Sequence, residues 1–169
     1  MKNNIVYFKD NFFSSGLTDI YAENKEKVGE LDLKSSFSTS IEVCDEKGFT
    51  VIKGGFRFFS NKWVISDSIG HELGIVRAKI SFFSKKYVYE TRSNEYHIYS
   101  PSFSRQYEIT DEAQKLVAQF NKMNGFFESS AYKLTNNSTK LSTPELVAIV
   151  MGVNAITKRH NSSTASSTT

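Results

Sequence analysis

The sequence predicts a mainly β protein, a closed antiparallel barrel of about twelve strands around one hydrophobic C-terminal α-helix. Two observations lead to this fold class. The chain contains about a dozen short segments in which apolar and polar residues alternate, which is typical of half-buried β-strands. Near its end, Leu146–Ile156 carries no charged side chain, so a helix there would have to be buried on all sides.

The segment Leu146–Ile156 is predicted to be a core helix spanning 143–157. The preceding Ser142–Glu145 is a helix-start signal, because a hydroxyl can cap the first amides, a Glu follows three residues later, and Pro is tolerated in the first turn. Eleven residues rise only about 16 Å, whereas the hydrocarbon layer of a bilayer is about 30 Å thick. The length therefore favours a core helix over a transmembrane span.

The clearest strands form hairpins around turns that begin with Asp and end with Gly. Residues Phe37–Cys44 alternate in polarity, Asp45–Gly48 is the turn, and Phe49–Lys53 returns. The same order recurs 22 residues later, counted from Asp45 to Asp67, in the strand, turn and return strand Lys62–Ser66, Asp67–Gly70 and Glu72–Phe82.

The remaining strands are shorter or less regular. They are predicted at Ile5–Phe8, Asp19–Ala22, Val28–Leu33, Phe56–Phe59, Tyr87–Thr91, Tyr96–Tyr99, Arg105–Ile109 and Ser130–Thr135. So many short strands would leave exposed edges in an open sheet, and closure into a barrel removes them. A barrel of about twelve strands is wider than its own side chains fill, since about eight is the snug number. The helix is therefore expected in the lumen.

Residues 113–121 fit two interpretations. Ala113, Leu116, Val117 and Phe120 follow the spacing of an amphipathic helix, which periodicity alone favours slightly. A strand would place Leu116, Ala118 and Phe120 inward and would leave Val117 outside.

Composition indicates one domain with no cofactor. At 169 residues the chain can bury a substantial core, and we predict a single domain over 1–158 followed by a disordered Ser/Thr-rich tail over 159–169. The net charge of +3 is spread along the chain, which argues against a nucleic-acid partner. Cys44 is the only cysteine, so it forms no internal disulfide, and we interpret it as a surface thiol. The first ten residues lack the apolar run of a signal peptide, and we expect a cytoplasmic monomer.

The order of Asp-x-x-Gly hairpins, an aromatic stretch and a lone hydrophobic C-terminal helix resembles the tubby C-terminal-like superfamily. Within it the chain is most similar to the LURP-one-related proteins and their small bacterial relatives, and more distantly to the phospholipid scramblases. The matching stretches lie between Gly29 and Ile156; they are Ile41–Gly48, Trp63–Gly74, Tyr107–Asp111 and Leu146–Ile156.

The resemblance implies a twelve-stranded barrel wrapped around the C-terminal helix. It also implies a strand over Lys115–Phe120, because family members usually return a strand after the Asp turn. Members commonly carry an Asp near the end of the buried helix, and this chain has Asn154 there. Tubby-type domains recognise phosphoinositides, so the resemblance further implies a lipid ligand.

The motifs give no support for an enzyme or for a metal site. Asp67, Ser68 and His71 fall within one predicted hairpin turn, whereas a catalytic triad is assembled from distant positions on a rigid frame. His97 and His160 are isolated from other metal-ligating residues. The pair Gly54-Gly55 lacks the rest of a phosphate loop and is interpreted as a bulge or tight bend.

The candidate ligand-binding residues are basic side chains on the barrel exterior. Arg77, Lys79, Lys85 and Lys86 are predicted to point outward, and Lys53, Arg57 and Lys62 could extend them. The alternative is an ordinary solvated strand face. In the doublets Phe58-Phe59 and Phe82-Phe83 one ring must point outward, and exposed aromatic rings beside cations suit a membrane surface.

Three classes of function follow from these features. The first is a non-enzymatic domain that binds anionic lipid or a protein partner through its exterior, peripherally at the membrane. The second is a scramblase-like protein that handles phospholipids, which would require the short helix to leave the barrel for the bilayer. The third, an enzyme, is not expected.

Overall fold

The computed structural model describes residues 2–9, 16–34, 40–79, 86–100, 106–127 and 131–165. Within these ranges the chain forms twelve β-strands followed by one α-helix. They are β1 (Ile5–Lys9), β2 (Gly16–Tyr21), β3 (Lys27–Leu33), β4 (Ser40–Asp45), β5 (Thr50–Phe56), β6 (Trp63–Asp67), β7 (Glu72–Lys79), β8 (Lys86–Thr91), β9 (Glu95–Tyr99), β10 (Tyr107–Thr110), β11 (Leu116–Met123), β12 (Ala131–Asn136) and α1 (Thr143–Ala165).

The strands close into a barrel, as the sequence predicts. Each strand pairs antiparallel with its neighbour along the chain, and β1 pairs with β12 from Ile5 opposite Thr135 to Lys9 opposite Ala131. Every strand thus has a hydrogen-bonded neighbour on both sides, which limits the exposed edges that promote aggregation, although β1 and β2 pair only at Tyr7 and Tyr21 among the described residues. The strand predicted over Phe56–Phe59 is wrong, because Phe56 is the last residue of β5 and the chain turns directly after it.

The antiparallel order gives the barrel two different ends. At the cap end lie the tight turns 22–26, 45–49, 67–71, 91–94 and 111–115 together with the start of α1. At the exit end lie the turn 57–62, the residues 124–127 and the last turns of α1. The exit end therefore combines the turn 57–62 with the end of the helix.

Four turns at the cap end share one hydrogen-bonding pattern. In each, the residue in the fourth position adopts a positive φ and donates its N–H to the carbonyl of the first residue, as Gly48 does to Asp45. The Asp side chain supports the turn: Asp67 Oδ1 accepts the amides of Ile69 and His71 at 3.0 and 2.8 Å. The Asp-x-x-Gly pattern thus predicts Asp45–Gly48 and Asp67–Gly70 correctly, because both residues act locally. The other two turns, Ala22–Lys25 and Asp111–Gln114, have Lys25 and Gln114 at the fourth position.

The helix and a set of aromatic rings share the lumen. Val147, Ile149, Val150, Met151 and Val153 are at most 1% exposed, which confirms the buried core helix. The helix packs mainly against β4–β7. Large rings from other strands are buried in the same core: Phe8, Tyr89, Tyr96, Tyr107, Phe120 and Tyr132.

Two tyrosine hydroxyls of β8 contact the helix, one near its start and one near the exit end. At its start, Ser142 Oγ accepts the Glu145 amide while Glu145 Oε2 accepts the Ser142 amide, so the predicted reciprocal cap is present. Tyr89 donates its hydroxyl to Glu145 Oε1 at 2.5 Å. Near the exit end, the hydroxyls of Tyr87 and Thr157 lie 2.6 Å apart.

Several local predictions need correction. The helix continues to Ala165, beyond the predicted end at 157. The thiol of Cys44 is not on the surface: the residue is 7% exposed, and burial raises the pKa of the thiol. Gly54 and Gly55 form no bulge, because they pair regularly with Ile65 and Val64.

Residues 116–123 form strand β11, as the family resemblance implies. Ile109 is paired with Ala118 and Thr110 with Leu116, so Val117 is the extra residue of a bulge. Val117 is nevertheless only 6% exposed, and its carbonyl accepts the amide of Asn137 at 2.8 Å. Val117 belongs to the buried core and Leu116 is only half-buried, so the bulge reverses the placement that a regular strand predicts for these two residues and accounts for the helical spacing in the sequence.

Candidate functional site

Three of the four predicted ligand-binding residues lie on β7 and β8. Arg77 is opposite Val88, and Lys79 is directly opposite Lys86 at the exit end of the strand pair. Lys85 lies outside the described residues, as do Phe82 and Phe83. The structure therefore brings Lys79 and Lys86 together and places Arg77 two residues away along β7.

Arg77 is occupied by a carboxylate. Its Nε donates to Glu90 Oε1 at 3.0 Å, and its Nη2 makes a short contact with the same oxygen. This pairing raises the pKa of Arg77 and lowers that of Glu90. Since both side chains are more than one-third exposed, the pair contributes little stability, but it cancels much of the positive charge that Arg77 presents.

Lys79 and Lys86 leave positive charge on this face. Like charges directly opposite one another on antiparallel strands are unfavourable. Lys79 Nζ lies 3.7 Å from Glu95 Oε1, whereas Lys86 forms no salt bridge with any described residue. Both lysines line a shallow depression of about 480 Å³ together with His97, Tyr99 and Glu108. Tyr99 is paired with Lys86 across β8 and β9 and is 47% exposed, so its ring is available on the same face of the sheet.

The three residues that could extend the basic face behave differently. Arg57 Nη2 lies 2.6 Å from Glu72 Oε2 and is paired. Lys53 is half-buried on β5. Lys62, in the turn between β5 and β6, is exposed and has no salt bridge within the described part of the chain. Of these three, Lys62 therefore contributes most to an anion-binding surface.

A second basic depression lies where the helix leaves the barrel. It has a volume of about 450 Å³, and its charged lining residues are Lys62, Arg77 and Arg159, with His160 beside them. No carboxylate is among its described lining residues. Arg159 donates from Nη1 to the carbonyl of Ser60 at 3.2 Å, and its guanidinium carbon lies 4.6 Å from the centre of the Phe56 ring.

Arg159 is the site residue that sequence reasoning did not find. The basic trio Lys158-Arg159-His160 looks like an ordinary complement to a helix C-terminus. Only the path of the helix through the barrel places Arg159 against the turn that contains Ser60. The length of the uncharged run in α1 is the sequence signal for the position at which the helix ends.

Asp67, Ser68 and His71 lie in one hairpin turn, and the contacts of Asp67 stabilise it. The Oδ1 atom of Asp67 accepts backbone amides, and its Oδ2 lies 3.2 Å from His71 Nδ1. The His71 side chain is 76% exposed. These contacts account for the geometry of the turn without requiring a reaction at Ser68. Among the described residues, no group of three or more His, Cys, Asp or Glu side chains is placed to hold a metal ion.

Comparison with known proteins assigns the chain to a family. The LURP-one-related family matches residues 5–150, which is most of the sequence. The chain belongs to the LURP-one-related family. A protein of Arabidopsis thaliana solved by X-ray crystallography has the same fold, with a TM-score of 0.55 and 13% sequence identity over 89% of this chain and 91% of that one. No curated protein sequence matches this LURP-one-related chain.

The family assignment and the structural neighbour establish the fold. Within the described residues of this LURP-one-related domain, no helix is both long enough and apolar enough to cross a bilayer.

Proposed function

We propose that this LURP-one-related domain is a non-enzymatic binding module that attaches to anionic lipid surfaces through the exterior of its barrel. The observation that carries the proposal is the direct pairing of Lys79 with Lys86, next to the exposed ring of Tyr99. An anionic surface relieves the repulsion between two neighbouring ammonium groups. The cytoplasmic leaflet, which is rich in anionic lipid, is the membrane surface that such a face fits.

The size of the effect follows from Lys86, which forms no salt bridge with a described residue, and from Lys79, whose Nζ lies 3.7 Å from Glu95 Oε1 and is only loosely paired. Each Lys or Arg near an anionic membrane surface contributes about 1 kcal/mol, so Lys79 and Lys86 together contribute ~2 kcal/mol at low salt. This corresponds to roughly a thirtyfold change in partitioning. Arg77 is expected to contribute less than either lysine, because Glu90 already neutralises it.

The proposal can be tested by co-sedimentation with liposomes. We expect the protein to bind vesicles of phosphatidylcholine and phosphatidylserine at 50 mM salt, and to bind neither pure phosphatidylcholine vesicles nor the mixed vesicles in 1 M salt. The double variant Lys79→Ser/Lys86→Ser should bind the mixed vesicles at least tenfold more weakly.

The matched control is Lys47→Ser/Lys115→Ser, which removes two exposed charges from turns at the cap end. This control lowers the net charge equally, so it should retain binding if the lysines of β7 and β8 form the site. Equal loss in both variants would indicate attraction by overall charge alone. Wild-type protein that ignores anionic vesicles would refute lipid attachment and would favour a protein partner.

The absence of catalysis is part of the same proposal. It is supported by the hydrogen bonds of Asp67, which serve the turn, and by the exposure of His71. Covalent labelling of Ser68 by a fluorophosphonate probe would contradict it.

A further inference from the structure

We propose that the turn between β5 and β6 inserts Phe58 and Phe59 into the lipid surface, so that the domain docks with the exit end of its barrel against the bilayer. This inference deepens the proposed function and rests on it. It assigns an apolar insertion point and an orientation, neither of which follows from attraction between charges.

The two rings form an apolar wedge at the tip of the turn. Phe58 is 85% exposed and Phe59 is 94% exposed. Their ring centres lie 4.2 Å apart with an angle of 62° between the ring planes. Phenylalanine is usually buried in proteins, so two adjacent rings that are almost fully exposed are the kind of observation that calls for a partner surface.

The backbone holds this wedge in place. Arg57 donates its N–H to the Lys62 carbonyl, and Ser60 donates its N–H to the Arg57 carbonyl, each at 3.0 Å. Phe59 has a φ of 53°, in the left-handed region that residues with a side chain rarely adopt. Two of the cap-end turns use Gly48 and Gly70 at their left-handed position. The turn is thus defined by its hydrogen bonds and keeps a Phe where local energetics favour Gly.

Cations line a depression next to the wedge, which also includes Ser60 and Asn61 of the same turn. The 450 Å³ depression at the exit end is lined by Lys62 and Arg159, and by Arg77, whose charge Glu90 already offsets; Lys62 and Arg159 are therefore the cations that can meet an anion there. Arg159 is tied to the turn through the Ser60 carbonyl, so its guanidinium moves with the wedge and keeps further N–H donors for an anion.

A bilayer matches this layered arrangement. Apolar rings at the tip reach the acyl boundary while cations set back from the tip meet the phosphates of the headgroups. A protein partner would need a cleft that accepts a convex tip, with carboxylates around its rim. The two exposed rings and the neighbouring cations together favour anionic lipid as the occupant.

Insertion can be read from the fluorescence of an added tryptophan. The native Trp63 is fully buried, so it provides a constant background. In the variant Phe59→Trp we expect a blue shift of the emission when vesicles of phosphatidylcholine and phosphatidylserine are added, and quenching when the lipid acyl chains carry bromine. The control Phe49→Trp places the probe at an exposed position of the cap end and should show neither change.

Affinity provides the second measurement. Phe58→Ser/Phe59→Ser should weaken binding to the mixed vesicles at least tenfold, whereas Phe49→Ser/Ile69→Ser, which removes two exposed apolar side chains from the cap end, should not. If wild-type protein binds anionic vesicles but Phe59→Trp shows no shift and the Phe58→Ser/Phe59→Ser variant binds normally, the wedge is refuted while surface attachment stands. If wild-type protein binds no vesicles, both proposals fail.

Discussion

The stability of each cap-end turn depends on which residue occupies its fourth position, where φ is positive. The fourth residue of these turns has a φ of 81° at Gly48 and 94° at Gly70, but Gln114 occupies the equivalent position with a φ of 61°. A residue with a side chain costs roughly 1–2 kcal/mol of folding free energy in this region. Glycine avoids this strain but loses about 0.5–1 kcal/mol in conformational entropy. Gln114→Gly should therefore raise the free energy of unfolding by about 0.5 kcal/mol.

The reciprocal change tests the same cause. Gly70→Ala should lower the free energy of unfolding by about 1 kcal/mol, because no heavy atom lies within 4 Å of the added carbon and only the backbone is strained. Urea unfolding of both variants measures the two effects. Destabilisation by Gln114→Gly would show that the Gln114 side chain makes a larger contribution than its backbone costs.

The packing of the Trp63 ring against two glycines could not be predicted from the sequence. A Cβ added at Gly54 would lie 2.8 Å from Trp63 Nε1, and one added at Gly152 would lie 2.5 Å from its Cδ1. The indole N–H is buried without a partner among the described residues, so close packing of the ring against both glycines holds it there. The sequence indicates that Gly54 is special, but only the barrel reveals that it accommodates a ring shared with Gly152.

At the scale of the helix, Glu145 combines a cap with a buried carboxyl group. It is 8% exposed, and burial raises its pKa, an effect opposed by the hydrogen bond from Tyr89. A folded-state pKa above the unfolded value means that the native state binds the proton more tightly. The contribution of Glu145 to stability is therefore fully present below its unfolded pKa and is lost as the pH rises through the folded one.

Glu145→Gln removes this titration and keeps an oxygen that can accept from Tyr89. We expect the free energy of unfolding of the wild type, minus that of Glu145→Gln, to fall as the pH is raised from 4 to 7. Denaturant unfolding at several pH values measures this difference, and Tyr89→Phe serves as a control that retains the carboxyl group. A difference that is constant with pH, or that rises, would show that the pKa of Glu145 is not raised.

The start and the end of the helix were not equally predictable. The start depends on Ser142 and Glu145, which lie three residues apart and bond to each other, so a short window of sequence contains the whole cause. The end was predicted at 157, where the apolar run stops. The helix instead continues to Ala165. Past the apolar run, Arg159 packs on Phe56 and bonds to Ser60, both far away in the sequence, so no local pattern predicts these contacts.

Local features of the candidate site could be predicted from the sequence, but contacts that depend on the closed barrel could not. Alternation along β7 correctly places Arg77 and Lys79 outward, since side-chain direction is a local property. Whether a cation is neutralised depends on neighbouring strands, and Glu90 on β8 pairs with Arg77. Lys62 and Arg159 lie together at the exit end because the closed barrel places the turn after β5 beside the last turns of the helix.

The integrity of the molecule should depend on its helix. Truncation after Lys140 removes every residue of α1, including Leu146, Ile149 and Met151, which are fully buried. Loss of a single buried Leu, Ile or Met typically costs 2–5 kcal/mol, so loss of several exceeds the whole stability of roughly 5–15 kcal/mol. We expect an insoluble or molten product, which amide NMR dispersion and near-ultraviolet circular dichroism would reveal.

Truncation after Asn161 is the matched control. It shortens the helix only where it lies outside the barrel, and Ile156 and all the buried residues before it remain. The free energy of unfolding should change by less than about 1 kcal/mol, since surface substitutions and frayed ends contribute little. Sharp and dispersed amide resonances from the protein truncated after Lys140 would show that the aromatic rings of the strands fill the lumen without the helix.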